Sequence, residues 1–282
     1  MEPEFISFNS HYFQADVNEI DFRQAEAVTT INDWVKENTH EKIDKIINRI
    51  DPDVVMYLIN AIYFNCVWET EFDPKDTRPA DFYHEDGSLF GKVEMMHLKS
   101  DLNMAGDESF SAVELPYKNG KFSMFLFLPS GQSSLDELTK ALDGASWKSW
   151  LAGFSEQEDV ILNMPKFTFE YDRSLAADLR NLGLDIAFTD QADVSGISPV
   201  DLLISDVIHK TYIKVNEEGT EAAAVTAVEM ELTPINPTKE LTLNRPSFSP
   251  LRKTAAGLSC SWGRCPNLNI NPQVTIALWN DR

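Results

Sequence analysis

Between residues 21 and 50 the apolar positions recur at helical spacing. Ala25, Val28, Ile31 and Val35 fall near one face and Glu26, Asp33, Lys36 and Glu37 near the other, which predicts an amphipathic helix lying on a packed surface. A different pattern runs through residues 54–67, where Val54, Val55, Tyr57, Ile59, Ile62, Tyr63 and Phe64 are β-branched or aromatic and Asp51-Pro52 marks a turn ahead of them. So continuous an apolar run predicts a central strand buried on both faces. Residues 110–116, 121–129 and 160–171 are further predicted strands. Asn119-Gly120 separates the first two, and both residues tolerate the positive φ of a type I′ turn, so a hairpin is expected there. Residues 135–151 and 174–182 read as short helical segments between strands. No linker rich in Gly, Ser or Pro interrupts the chain, and no repeat is visible, so one domain of mixed α+β class is expected.

One stretch resists either period. After a strand-like run over residues 207–215 come Asn216-Glu217-Glu218-Gly219-Thr220-Glu221-Ala222-Ala223-Ala224-Val225-Thr226, followed by Pro234 and Pro237. Its alanines favour helix, its Val and Thr favour strand, and neither face is apolar enough to anchor either form. A segment so balanced can hold more than one conformation; an Ala-rich surface helix is the plainer alternative.

Composition narrows the function. With 43% hydrophobic and 24% charged residues in 282, the chain is globular and long enough to bury a substantial core. Its 45 acidic and 24 basic residues leave a formal charge of −21, the wrong sign for binding phosphates or anionic lipid, so neither nucleic acid nor membrane is an expected partner. The longest apolar stretch, residues 54–64, falls short of the roughly 20 residues that span a bilayer. Met1-Glu2-Pro3-Glu4-Phe5 has neither the basic start nor the apolar run of a secretory signal, so the chain as written is expected in the cytoplasm. Cys66, Cys260 and Cys265 suggest no disulfide framework.

The chemistry of common enzymes is missing. There is no Gly-x-Ser-x-Gly elbow, no glycine-rich phosphate loop and no His-Glu-x-x-His, and His11, His40, His84, His97 and His209 are scattered without ligand spacing. Cys260-x4-Cys265 has no second pair. The expectation is a protein that is not an enzyme and carries no metal or cofactor.

Several short motifs, in order, carry a resemblance. They are Asn32-Asp33-Trp34-Val35, Leu58-Ile59-Asn60-Ala61-Ile62-Tyr63-Phe64, Met95-Met96-His97, Glu114-Leu115-Pro116-Tyr117, Met164-Pro165-Lys166-Phe167, Ala192-Asp193-Val194-Ser195-Gly196-Ile197 and Leu243-Asn244-Arg245-Pro246. The most specific is Val215-Asn216-Glu217-Glu218-Gly219-Thr220-Glu221-Ala222-Ala223-Ala224. Over most of its length the chain resembles the serpin family of serine protease inhibitors. The resemblance implies a large central sheet, surrounding helices and an exposed reactive loop, which a target serine protease cleaves and which then inserts into the sheet as a new strand. Residues Glu217, Glu218, Gly219, Thr220, Glu221, Ala222, Ala223, Ala224, Val225 and Thr226 would be the hinge of that loop, and the small residues from Ala222 to Thr226 match an inhibitory member. Asn60 and His209 match the family's polar latch under the opening sheet; the plainer alternative for each is an ordinary buried hydrogen-bonding residue.

Counting along the family's hinge places Thr233 before the scissile bond and Pro234 after it, and proline there hinders cleavage because its ring removes the N–H and fixes φ. Leu232 or Met230 is then the expected bait, implying a chymotrypsin-like or elastase-like protease in a covalent acyl complex with an intact parent. No Arg or Lys lies between Thr220 and Thr238 to suit a trypsin-like one.

The chain departs from the family at both ends. The resemblance begins near His11-Tyr12-Phe13, without the family's first helices and one strand of its large sheet, and stops after Pro246. Residues 1–246 are therefore expected to form a partial serpin domain. Residues 247–282 are expected to be an out-of-frame tail, since a shifted frame with one base restored beside Pro246 can spell an ending similar to the family's. On that expectation inhibition is impaired and the chain self-associates through loop–sheet exchange, while an extracellular location stays open for the parent. A non-inhibitory serpin-like binding or chaperone protein is the alternative.

Overall fold

The computed structural model describes residues 1–118, 120–131, 133–198, 202–220, 239–253 and 273–278, the last as a backbone strand. In chain order the strands are β1 (Asp16–Glu19), β2 (Met56–Tyr63), β3 (Cys66–Val67), β4 (Arg78–Tyr83), β5 (Leu89–Gly106), β6 (Phe110–Pro116) and β7 (Phe122–Pro129). They continue as β8 (Ser155–Pro165), β9 (Phe167–Ser174), β10 (Asp206–Val215), β11 (Gly219–Thr220), β12 (Glu240–Thr242), β13 (Leu251–Lys253) and β14 (Gln273–Leu278). The α-helices are α1 (Pro3–Phe8), α2 (Ala27–Asn38), α3 (Leu135–Lys140), α4 (Gly144–Ala152) and α5 (Ala176–Leu179). None is long and apolar enough to cross a membrane. The residues group into two compact units, Met1–Phe64 with Phe169–Ile213 and Trp262–Arg282, and Asn65–Thr168 with Lys214–Ser261. Each is assembled from separated stretches, which is why no linker marks a boundary in the sequence.

In the first unit the sheet runs β1-β14-β2-β10, with β9 also pairing with β10. Strand β14 is parallel to β1 and antiparallel to β2, so part of the stretch beyond Pro246 lies in this ladder. The long helix expected over residues 21–50 is only α2, because His40 and Glu41 take φ of 52° and 62° and turn the chain away. The irregular stretch that follows still buries Ile43, Ile46 and Ile47 with Ile31 and Val35 of α2, Tyr57, Ile59 and Ala61 of β2, and Ile208 of β10. The freed backbone is satisfied by the buried Asn32. Its Oδ1 accepts from the N–H groups of Ile46 and Ile47 at 2.9 and 3.1 Å, and its Nδ2 donates to the Ile47 carbonyl at 2.9 Å.

In the second unit the sheet order is β12-β8-β5-β6-β7-β13, with β4 on β5. The hairpin β6–β7 forms as expected, with Gly120 at φ 63° and the Tyr117 N–H bonded to the Phe122 carbonyl at 3.0 Å. All eight residues of β7, Phe122 to Pro129, are buried. Phe110, Phe125 and Phe127 pack with Leu138, Trp147, Trp150, Leu151, Phe154 and Phe248; each such Phe contributes about 1.5–3 kcal/mol. The helical stretch expected over 135–151 is two helices, because Asp143 starts a second capping box after the one at Ser134. The strand expected over 160–171 is likewise two, β8 and β9, divided at Lys166.

Candidate functional site

At the end of β10, Val215, the chain folds back on itself. The Asn216 Oδ1 accepts from the N–H groups of Glu218 and Gly219 at 3.2 and 3.1 Å, closing a tight turn. The two residues of β11 then pair on both edges, Thr220 with Val215 on one side and Gly219 and Thr220 with Val67 and Cys66 of β3 on the other. Backbones approach so closely there that a Cβ on Gly219 would lie 2.1 Å from the Cys66 carbonyl oxygen.

Side chains of the second unit grip this turn. Trp68, fully buried, donates from Nε1 to the Asn216 carbonyl at 2.9 Å and from its backbone N–H to the Glu218 carbonyl at 3.0 Å. Its ring stacks on Tyr117 at 4.4 Å between centroids, and the Tyr117 hydroxyl shares a 2.7 Å hydrogen bond with Thr220 Oγ1. Burial pushes the Tyr117 phenol well up, against the smaller pull of Thr220, so it stays a neutral hydroxyl. Glu217 is also buried. Its Oε1 meets Lys166 Nζ at 2.7 Å and accepts from Thr77 Oγ1 at 2.7 Å. Burial alone would raise this carboxyl, but the Lys166 and Thr77 bonds outweigh it and hold it below its usual value.

In the first unit β2 and β10 are parallel and directly paired, Tyr57–Tyr63 against Asp206–Tyr212, and this register sets Asn60 opposite His209. By strand alternation the pair points away from the face that Ile59, Ala61 and Ile208 present to the α2 cluster. His209 Nε2 lies 3.0 Å from Thr211 Oγ1, and the Tyr171 ring stands edge-on at 6.0 Å. Burial pushes the imidazole pKa down. Asn60 Oδ1 and His209 Nδ1 are buried without a hydrogen-bond partner among the described residues.

The expected site residues thus fall in two groups, Asn60 with His209, and Glu217, Glu218, Gly219 and Thr220 with Trp68. Glu221, Ala222, Ala223, Ala224, Val225, Thr226, Met230, Leu232, Thr233 and Pro234 lie outside the described residues, as do Cys260 and Cys265. Tyr117, Lys166 and Thr77 were not expected at the turn between β10 and β11. Tyr117 and Lys166 do sit within the motifs quoted above, but nothing in their spacing ties Tyr117 to Thr220, 103 positions away, or Lys166 to Glu217. Among the described residues no group of three or more His, Cys, Asp or Glu is placed to hold a metal ion.

Over most of its length the chain is similar to known proteins. A family model described as serpin (serine protease inhibitor) matches residues 1–267. The chain is 37% identical over 236 residues to Iris of Ixodes ricinus, covering 81% of this chain and 62% of that protein. It is 33% identical over 260 residues to human Serpin B11, covering 89% and 66%. The crystal structure of the thermophilic serpin tengpin in its native state superposes with a TM-score of 0.78 at 31% identity, over 90% of this chain and 68% of that one. The chain therefore spans under two thirds of the length of the first of these relatives.

Proposed function

The chain belongs to the serpin family, with that family's α+β fold, and from this premise we propose that it acts as a suicide substrate for a chymotrypsin-like or elastase-like serine protease. The protease cleaves after Met230 or Leu232 and is trapped when the segment beyond Thr220 enters the sheet between β2 and β10. The observation that carries this reading is the directly paired, parallel arrangement of β2 and β10. A chain that leaves the end of β10 and folds back runs antiparallel to it, as β11 already does beside Val215. Inserted between two parallel strands, it would pair antiparallel with both, and each backbone hydrogen bond gained contributes about 0.5–1.5 kcal/mol net. The protease supplies the catalytic chemistry, and this chain supplies bait and trap.

Mixing the purified chain with chymotrypsin and with elastase tests the reading. A complex that survives SDS, with the chain cleaved after Met230 or Leu232, is expected. Cleavage that releases free protease and two fragments would overturn it in favour of a non-inhibitory binding or chaperone role.

A further inference from the structure

Parting β2 from β10 requires disturbing what lies across them, and in the first unit that is the irregular stretch after α2. Its Ile43, Ile46 and Ile47 share one buried cluster with Ile59 and Ala61 of β2 and with Ile208 of β10, so they span both edges of the seam. Asn32 ties the stretch to α2, and Lys36 Nζ pairs with Asp44 at 3.0 Å. From β10, beside Ile208 and Tyr212, which pack on the same cluster, a charged side chain reaches up to it. Lys210, the register partner of Ala61, donates from Nζ to the Lys45 carbonyl at 2.9 Å. The same Nζ lies 3.3 Å from Glu170 Oε2 and 3.7 Å from Asp172 Oδ2, both on β9, the other neighbour of β10. The lysine side chain is only 12% exposed while the two carboxylates are 51% and 55% exposed. Covering a cation this far is costly unless negative groups and a carbonyl replace the water it gives up.

We propose that Lys210 is a positioning residue for loop insertion: it fastens the stretch around Lys45 to β10 and so sets how readily the seam between β2 and β10 opens. This rests on the insertion reading above. Glu170 and Asp172 aim the ammonium from the β9 side, and the Lys45 carbonyl takes its third direction. Opening the seam then means breaking a charge-assisted hydrogen bond as well as separating the isoleucines.

Amide exchange read by mass spectrometry on peptides covering residues 56–63 and 206–212 tests this without any protease. In Lys210→Met, which keeps the apolar stem and removes the charge, these peptides are expected to exchange about tenfold faster, as loss of one charged hydrogen bond implies. Peptides covering β6 and β7 serve as the reference and should be unchanged, and Lys210→Arg should restore most of the protection. Equal exchange in wild type and Lys210→Met would overturn the proposal. So would faster exchange that Lys210→Arg fails to restore, which is packing alone. If Lys210→Met does not fold, the double variant Glu170→Gln, Asp172→Asn removes two exposed carboxylates and should loosen the same peptides; unchanged exchange there overturns the proposal too. In protease mixtures, Lys210→Met should shift the outcome from cleaved chain towards complex with the initial cleavage rate unchanged. Absence of any complex in wild type would sink the inhibitor reading alone, since the exchange measurement stands apart from it.

Discussion

Asn60 and His209 face one another across the β2–β10 ladder, and each keeps a buried polar atom, Asn60 Oδ1 and His209 Nδ1, that finds no partner among the described residues. Two unsatisfied groups on neighbouring strands weaken the pairing at the place where the proposed insertion would part the sheet, since each costs about 1–3 kcal/mol.

The same pair sets a pH dependence. Burial lowers the His209 pKa below its ordinary value of 6.5, so between the folded and unfolded pKa values the unfolded chain binds more protons. Stability is full above pH 6.5 and falls as pH drops through that window. His209→Gln should flatten this part of the curve, seen as a smaller loss of urea midpoint between pH 7.5 and 5.5 than in wild type. An unchanged loss would remove His209 as its source.

At the turn between β10 and β11, Glu217→Gln leaves Lys166 without its counter-charge and should cost about 1–2 kcal/mol, less than a fully buried pair because the Lys166 side chain is 38% exposed. Glu217→Lys sets two cations together and should cost more. Urea unfolding at pH 7, with Lys166→Met completing a double-mutant cycle, measures the coupling. Because the Glu217 pKa is lowered from 4.5, this contribution should be present above that pH and fade as pH falls through the folded value.

Gly219→Ala would place a methyl group 2.1 Å from the Cys66 carbonyl oxygen and 2.7 Å from Val67 Cα. Both are backbone atoms, so β11 must detach from β3, at a cost of about 2 kcal/mol or more. Amide exchange should show Thr220 losing its protection while β6 and β7 keep theirs.

Tyr117→Phe keeps the ring stacked on Trp68 but removes the hydroxyl bound to Thr220. A buried Thr220 Oγ1 left unpaired should cost about 1–2 kcal/mol. The expected signature is faster chymotrypsin cleavage beyond Thr220 with tryptophan fluorescence nearly unchanged.

Much of the fold was legible where a local pattern is also the tertiary pattern. The apolar run of β2, the Asn119-Gly120 hairpin and the strand before Asn216 all appear at or near their expected bounds. The helix expected over residues 21–50 overran because Ile43, Ile46 and Ile47 continue its apolar character, while the turn at His40 and Glu41 depends on backbone angles that those residue types do not announce. At the hinge, Glu217, Gly219 and Thr220 could be named from their motif. Lys166, Thr77 and Tyr117 could not, because the partner of a buried carboxylate or hydroxyl is chosen by sheet register.

By itself the sequence determined the α+β class, the family resemblance and the order of its motifs, since these depend on side-chain periodicity and on residues adjacent in the chain. Only the tertiary structure decided that Asn60 meets His209, that Thr220 ends against Tyr117 and that Lys210 reaches Lys45. Each of those pairs joins residues more than a hundred positions apart. Their meeting follows from strand pairing and packing, which satisfy backbone groups and exclude water across the whole fold, so no local stretch of residues encodes it.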